Sequence, residues 1–228
     1  MTQRRQATNG MVEAVIFDLD GVVVDSEQLW DEVRRGLAAE AGRPWPEEAT
    51  RAMLGMSTQE WSTYLTDVVG IPGSPEQVAT TVIDRLAERY RAHLPLLPGA
   101  VDAVRRLADR WPLAVASSSP PRLIATVLET AGVADRFQLT ISTEEVEAGK
   151  PSPAVYLEAT RRLGVEPARS VAVEDSSNGL RAAARAGLGV IAVPNAAFPP
   201  AEDALALASV VIESLDELTE EVVLAAAR

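Results

Sequence analysis

The chain has 228 residues, of which 47% are hydrophobic, and this length is sufficient for one large domain or two modest ones. Its formal net charge of -12 argues against nucleic acid and anionic membrane surfaces as partners. It contains no cysteine, which excludes disulfides and thiolate sites, and no apolar run of membrane-spanning length. The polar first ten residues indicate a frayed tail and not a signal peptide, so we expect a cytoplasmic protein.

A buried strand followed by helices is predicted for the first part of the chain. Residues 12–17, VEAVIF, form a short apolar run that stops at acidic residues, as a buried strand does. The next segment is helical in pattern, and a serine stands before each predicted helix as a candidate cap. These helices, with their serines, cover 27–42 (Ser26), 57–70 (Ser57) and 74–94 (Ser74). Glu60 also stands at the spacing of a capping box from Ser57.

After two prolines within residues 94–100, strands and helices alternate. The predicted strands are 112–117, 139–142, 170–174, 189–193 and 209–212, and the predicted helices are 120–132, 152–164, 177–188 and 215–227. This alternation predicts an α/β protein with a Rossmann-like, doubly wound parallel sheet. We therefore expect a core domain formed by residues 1–24 and 95–228, and an inserted all-helical cap domain formed by residues 25–94.

Polar side chains stand at the carboxyl ends of four predicted strands or in the loops that follow them. In order along the chain they are Asp18 and Asp20, Ser117–Ser119, Lys150, and Glu174 with Asp175. Ligands bind beyond the carboxyl ends of the strands in open parallel sheets, so we expect these residues to converge on one edge.

Each of these groups also has a purely structural interpretation. The serines and Asp175 are residue types that commonly cap helices. Asp18 and Asp20 are harder to explain in this way, because two carboxylates at the end of a buried strand repel each other unless a cation lies between them. Lys150 is the only lysine among 21 basic residues. It is there either by chance or because a compact ammonium is needed against a phosphate or carboxylate.

Phosphoryl transfer is the chemistry that suits this set. Carboxylate ligands alone select a hard cation such as Mg²⁺. Asp18 could attack phosphorus and form an aspartyl phosphate, while Asp20 protonates the leaving alkoxide and later deprotonates the attacking water. Ser117 and backbone N–H groups at a helix start could hold the phosphoryl oxygens, and Lys150 would neutralise their charge.

Four segments resemble motifs of the haloacid dehalogenase superfamily, in order and at suitable spacing: FDLDGVVVDSE (17–27), ASSS (116–119), GKPSP (149–153) and VEDSSNGLRAAARAG (173–187). The resemblance implies that Asp18 is the nucleophile and Asp20 the general acid and base. It implies phosphate binding by Ser117, Ser118 and Lys150. It also implies Mg²⁺ bound by Asp18, the Asp20 carbonyl and Asp175, with Glu174 as a further or supporting ligand.

The insert resembles the helical cap of the subgroup that contains β-phosphoglucomutase and sugar-phosphate phosphatases. Mutases of this subgroup have a histidine where this chain has Trp30, and an arginine where Thr58 follows Gly55-Met56-Ser57. From these two positions we expect the chain to lack the cation with which a mutase cap binds a second phosphate. This favours a phosphatase over a mutase.

We expect the substrate to be a small phosphorylated metabolite such as a sugar phosphate, and the protein to be a monomer or dimer. The candidate specificity residues in the cap are Trp30, Arg34, Gly55, Met56, Ser57 and Trp61, with Arg35 as an alternative to Arg34. A binding module of a different class, an aspartate-phosphorylated receiver-type switch, stays open, although such a switch needs no helical lid.

Overall fold

The computed structural model describes residues 12–53, 56–195 and 199–227. The expected frayed tail, residues 1–10, lies outside these ranges, and so does the specificity candidate Gly55. Within them, no helix combines the length and apolar character needed to cross a lipid bilayer.

The described residues form a six-stranded sheet whose neighbouring strands are all parallel. The strands are β1 (Ala14–Phe17), β2 (Leu113–Ser117), β3 (Phe137–Ser142), β4 (Ser170–Glu174), β5 (Gly189–Ala192) and β6 (Val210–Val211). Their order across the sheet is β3-β2-β1-β4-β5-β6, so β1 lies in the middle between β2 and β4. The predicted α/β fold with a doubly wound parallel sheet is confirmed.

Helices connect the strands and follow the last of them. They are α1 (Glu27–Glu40), α2 (Ala49–Ala52), α3 (Thr58–Asp67), α4 (Pro75–Ala92), α5 (Ala100–Ala108), α6 (Pro121–Thr130), α7 (Ala154–Leu163), α8 (Ser177–Ala186), α9 (Glu202–Leu205) and α10 (Glu220–Ala226). The three helices predicted between β1 and the prolines are present as α1, α3 and α4. Capping boxes at Ser57 and Ser74 begin the second and third of them.

Alternating side chains of β1 enter two different apolar clusters, because successive residues of a strand point to opposite faces. Val15 and Phe17 pack with residues of α5, α6 and α10, whereas Ile16 packs with residues of α7, α8 and α9. Both faces of the sheet are therefore covered by helices, and β1 is buried along its whole length. This burial explains the continuous apolar run in its sequence.

The segment by which the chain leaves the sheet after β1 lies next to the segment by which it returns. Leu97 N donates a hydrogen bond to Val23 O at 3.1 Å, and Asp25 N donates one to Pro95 O at 2.8 Å. The two connecting segments thus run side by side, and the helices α1 to α4 lie between them in sequence. This arrangement places the helical insert over the carboxyl end of β1.

Candidate active site

Asp18 and Gly21 of the first motif are positioned by the end of β1. Asp18 N donates to Val173 O of β4 at 2.9 Å, which extends the sheet pairing by one residue, and only 6% of Asp18 is exposed. Gly21 follows with φ +81°, and a Cβ there would lie 2.0 Å from Oδ2 of Asp175. A side chain at position 21 would occupy the space of that carboxylate, so glycine is required there.

Lys150 joins the ends of three strands through its ammonium group. Its Nζ donates to Oδ1 of Asp18 at 2.7 Å, to Ala116 O at 2.9 Å and to Oε1 of Glu174 at 2.6 Å. Burial alone would lower the pKa of Lys150, but the two adjacent carboxylates outweigh it and raise that pKa above its usual value. All three donors of the ammonium are used, and the acceptors come from three separate strands.

Glu174 is fully buried and both of its oxygens accept hydrogen bonds. Besides Lys150, the hydroxyl of Tyr156 donates to Oε1 at 2.6 Å, and Oγ of Ser176 donates to Oε2 at 3.2 Å. A Cβ on Gly179 would lie 1.9 Å from this carboxylate, so the start of α8 closes tightly around it. Glu174 is therefore held in place chiefly as a partner of the lysine.

Ser176, and not Asp175, caps α8, because its side chain accepts a hydrogen bond from Gly179 N at 3.0 Å. The capping interpretation of Asp175 is therefore wrong. Oδ1 of Asp175 is buried and has no hydrogen-bond partner among the described residues. The residue is free to take part in the site.

Hydroxyl groups surround the carboxylate of Asp20. Oγ of Ser26 donates to Oδ1 at 2.5 Å, and Oγ of Ser119 donates to Oδ2 at 2.7 Å. The hydroxyl of Ser117 is 3.4 Å from the same Oδ2 and is completely buried, whereas Ser118 lines the cavity described below. None of the serines 117–119 caps α6, whose cap position is Pro120 without a side-chain hydrogen bond.

Asp18, Glu174 and Asp175 form a group that could hold a metal ion. Ligand oxygens of the three carboxylates lie within 4.8 Å of one another. Burial, reinforced by the neighbouring carboxylates, raises the pKa of Asp18 to about 7 and that of Asp175 well above its usual range. The unpartnered oxygen of Asp175 and the purely oxygen donor set fit a hard divalent cation. The side chain of Asp20 lies outside this group and binds the serines instead.

A cavity of about 480 Å³ lies between the strand ends and the helical insert. Of the predicted specificity residues, four line it: Trp30, Arg34, Met56 and Trp61. Ser57 does not belong to its lining, and the hydroxyl of Ser57 instead donates to Glu60 in the capping box. The cavity also has a second arginine in its wall, Arg51. The expectation that the insert lacks a cation facing the site is therefore wrong.

Several residues of the site escaped the sequence analysis. Ser26 was expected to cap α1, but it makes no such bond, because its hydroxyl is used by Asp20. Tyr156 lies at a position that a helical pattern assigns to the core, and only the fold shows that its hydroxyl meets Glu174. Glu27 and Arg51 line the cavity but were not singled out. Glu27 could have been found from its spacing, since it shares one face of α1 with Trp30 and Arg34.

Comparison with known proteins identifies the family and the relatives of this chain. Residues 12–187 match the haloacid dehalogenase-like hydrolase family. Hexitol phosphatase B of Escherichia coli K12 is 34% identical over 221 residues, covering 93% of this chain and 97% of that protein. A phosphorylated carbohydrates phosphatase of Thermotoga maritima is 33% identical over 178 residues, covering 78% of this chain and 82% of that protein.

The fold is also similar to solved structures. The crystal structure of CbbY from Rhodobacter sphaeroides in complex with phosphate superposes with a TM-score of 0.82 at 28% identity, covering 93% of this chain and 99% of that one. The family and the phosphatase class predicted from the sequence are both confirmed by these matches. The chain is a member of the haloacid dehalogenase-like hydrolase family.

Proposed function

We propose that this chain is a Mg²⁺-dependent phosphatase that hydrolyses a small phosphorylated sugar or polyol through an aspartyl phosphate on Asp18. One observation carries the proposal: Lys150 forms buried ion pairs with Asp18 and Glu174. The unpartnered oxygen of Asp175 lies beside them, and the cavity opens onto this group. Two of the relatives are named as a hexitol phosphatase and as a phosphatase of phosphorylated carbohydrates, which supports a substrate of this class.

Asp18, Asp175 and the Asp20 carbonyl would hold the metal ion, with Glu174 supporting them. When bound, Mg²⁺ supplies positive charge that lets a carboxylate approach the phosphoryl group. Lys150 already holds Oδ1 of Asp18 at 2.7 Å, so we assign the attack on phosphorus to Oδ2. The same ammonium orients the nucleophile and offers charge to the phosphoryl oxygens as they become more negative.

Asp20 is the proton carrier in this proposal. It donates a proton to the leaving alkoxide when Asp18 attacks, and it then removes a proton from the water that hydrolyses the aspartyl phosphate. The hydroxyls of Ser26 and Ser119 hold its two oxygens at the wall of the cavity. Ser118 and the backbone N–H groups that follow β2 lie where they could bind the phosphoryl oxygens. Ser117 supports this turn, because its Oγ accepts a hydrogen bond from Ser119 N at 2.9 Å.

The helical insert acts as a cap in this proposal. We assign residues 25–94 to the cap domain and residues 1–24 with 95–228 to the core domain. The paired segments around Val24 and Leu96 form a bridge between the two, and they are the natural place for a hinge. Closure of the insert over the strand ends would exclude water from the phosphoryl group.

A phosphoryl-transferring mutase is the second candidate. The lack of a cap-side cation no longer counts against it, since Arg34 and Arg51 face the cavity. Two observations favour the phosphatase: the named relatives above 30% identity are phosphatases, and Trp30 stands where the mutases have histidine. A receiver-type switch is not supported, because the chain belongs to a hydrolase family.

Release of phosphate from glucitol 6-phosphate tests the proposal. We expect turnover with Mg²⁺ that is lost with EDTA and in Asp18→Asn, and retained in Asp203→Asn, whose side chain is 72% exposed, pairs with Arg181 and does not line the cavity. β-Glucose 1-phosphate separates the two candidates, because a phosphatase yields glucose and free phosphate whereas a mutase yields glucose 6-phosphate. Full activity of Asp18→Asn, or activity that is indifferent to EDTA, would contradict the proposal.

A further inference from the structure

Arg34 occupies an unusual position in the wall of the cavity. Its guanidinium lies 4.5 Å from the ring centroid of Trp30 and 4.9 Å from that of Trp61, and the two indole rings are themselves 5.7 Å apart. Only 9% of the residue is exposed. The stacking holds the planar group in one orientation, so its N–H groups are preorganised for a ligand in the cavity.

This guanidinium makes no hydrogen bond or ion pair with any residue that the structure describes, and its Nε is buried without a partner. The nearby carboxylate of Asp31 is already used: one oxygen binds Nε of Arg35 at 2.5 Å, and the other accepts from Thr50. Burying an arginine without hydrogen bonds costs folding free energy. This cost is offset when an anion accepts hydrogen bonds from the guanidinium.

Charges on this side of the cavity are unbalanced. The helices α1 and α2 contribute Arg34, Arg51 and Glu27 to the lining, which is two positive charges against one negative. Burial lowers the pKa of Arg34 to about 10, so it stays cationic at neutral pH. Burial, with Asp20 nearby, raises the pKa of Glu27 to about 7, so Glu27 only partly neutralises Arg34 there.

We propose that Arg34 is a specificity-determining residue that binds a second anionic group of the substrate, a carboxylate or a phosphate, at the end opposite the transferred phosphoryl group. The inference rests on the proposed function, since it takes the phosphoryl group to lie at the Asp18 end of the same cavity. Hydroxyl groups could also accept from the guanidinium, but they would leave its buried charge uncompensated. A carboxylate or phosphate accepts two parallel N–H bonds and neutralises the charge as well.

A pair of substrates that differ at one carbon tests the proposal. Glucitol 6-phosphate carries a hydroxymethyl group at carbon 1 where gluconate 6-phosphate carries a carboxylate, and glucitol 1,6-bisphosphate carries a second phosphate there. We expect kcat/KM to be about tenfold or more higher for at least one of the two anionic compounds than for glucitol 6-phosphate. Comparison of the two shows which anion is preferred.

Variants of Arg34 and of an exposed arginine in the same helical insert supply the test and its control. Arg34→Gln should reduce the ratio of anionic to neutral kcat/KM about tenfold or more, and Arg34→Lys should reduce it less, because charge remains but the fork is lost. Arg89→Gln should leave the ratio unchanged, since Arg89 of α4 is exposed, lies 3.7 Å from Glu32 and does not line the cavity. Thermal melting identifies any variant that fails to fold, and the Arg34→Lys variant then carries the test.

Binding measurements separate this inference from the proposed function. In the Asp18→Asn protein with Mg²⁺, calorimetry should show the same preference for the anionic compounds without any turnover. If that preference is found but the wild-type protein releases no phosphate, the proposed function fails and the role of Arg34 stands. If phosphate is released but the neutral compound binds and reacts as well as the anionic ones, or Arg34→Gln keeps the preference, the role of Arg34 is refuted.

Discussion

Replacement of Lys150 by arginine preserves the charge at the centre of the site and changes its shape. The lysine donates to Asp18, to the Ala116 carbonyl and to Glu174 over distances of 2.6 to 2.9 Å. Its side chain is only 5% exposed. A planar guanidinium is larger and directs its donors within one plane, so it cannot reach three acceptors that belong to three different strands.

The expected cost can be worked from this geometry. Forcing the larger group into a closed site costs about 1–3 kcal/mol, and leaving one buried carbonyl without its donor adds about 1 kcal/mol. We therefore expect Lys150→Arg to lower the free energy of unfolding by about 2–4 kcal/mol. Phosphatase activity should fall by about 100-fold or more, because a charge that is misplaced no longer stabilises the transferred phosphoryl group.

Urea denaturation and phosphate release measure the two effects. The matched control is the reverse exchange at an exposed site, Arg161→Lys, which removes a surface pairing with Glu158 at 2.6 Å and should change stability by less than about 0.5 kcal/mol. If Lys150→Arg unfolds at the same urea concentration as the wild-type protein and keeps its activity, the need for a compact ammonium at this position is disproved.

Three further results are expected. Gly179→Ala should destabilise the protein by about 1–3 kcal/mol in urea, because its Cβ would overlap the carboxylate of Glu174, whereas Gly36→Ala, with open space around it on α1, should stabilise by about 0.5–1 kcal/mol. Mg²⁺ at about 100 times its Kd should stabilise the wild-type protein by about 2.7 kcal/mol, and Asp175→Asn should lose this effect in thermal melts. Glu27 has a pKa raised from 4.5 to about 7 in the folded state, so the folded protein binds more protons and loses stability as the pH rises through that window. Glu27→Gln should thus gain about 1–2 kcal/mol over wild type at pH 8 but not at pH 4, and an equal difference at both values would disprove the shift.

The strand ends could be predicted from the sequence because two independent rules agree on them. Apolar runs that stop at polar residues mark where each buried strand ends, and parallel strands bring these ends to one edge. Asp18, Lys150 and Glu174 are therefore found together, although 132 residues separate the first two. Contacts that depend on side-chain direction were harder to infer. Tyr156 looks like an ordinary core residue of α7, and only the packing of that helix on the sheet brings its hydroxyl to Glu174.

The helical insert shows where local rules fail. Ser26 has the right residue type and position for a helix cap, but the tertiary hydrogen bond to Asp20 takes its hydroxyl instead. The sequence left open whether Arg34 or Arg35 faces the site, because adjacent residues of a helix point about 100° apart and the facing side depends on the neighbouring helix. Trp61 of α3 stacks on Arg34, so Arg34 and not Arg35 is the residue that faces the cavity.

Three helices were not predicted from the sequence: the four-residue α2 and α9, and the longer α5. Residues 100–108 form α5, which packs on the sheet through Ala100, Ala103, Val104 and Leu107. The segment follows Pro95 and Pro98 and precedes the strand that begins at Leu113, and no element was predicted for it. Its buried positions follow the helical spacing of three and four residues, so the pattern was present but short.

The central claim is that Asp18 forms a covalent aspartyl phosphate. Trapping of this intermediate tests the claim directly. Protein quenched during turnover of glucitol 6-phosphate with Mg²⁺ is treated with borohydride, which reduces an aspartyl phosphate to homoserine, and the modified peptide is sequenced by mass spectrometry. We predict homoserine at position 18, and none when EDTA or the Asp18→Asn variant is used. Homoserine at another aspartate, or its absence during active turnover, would contradict the account.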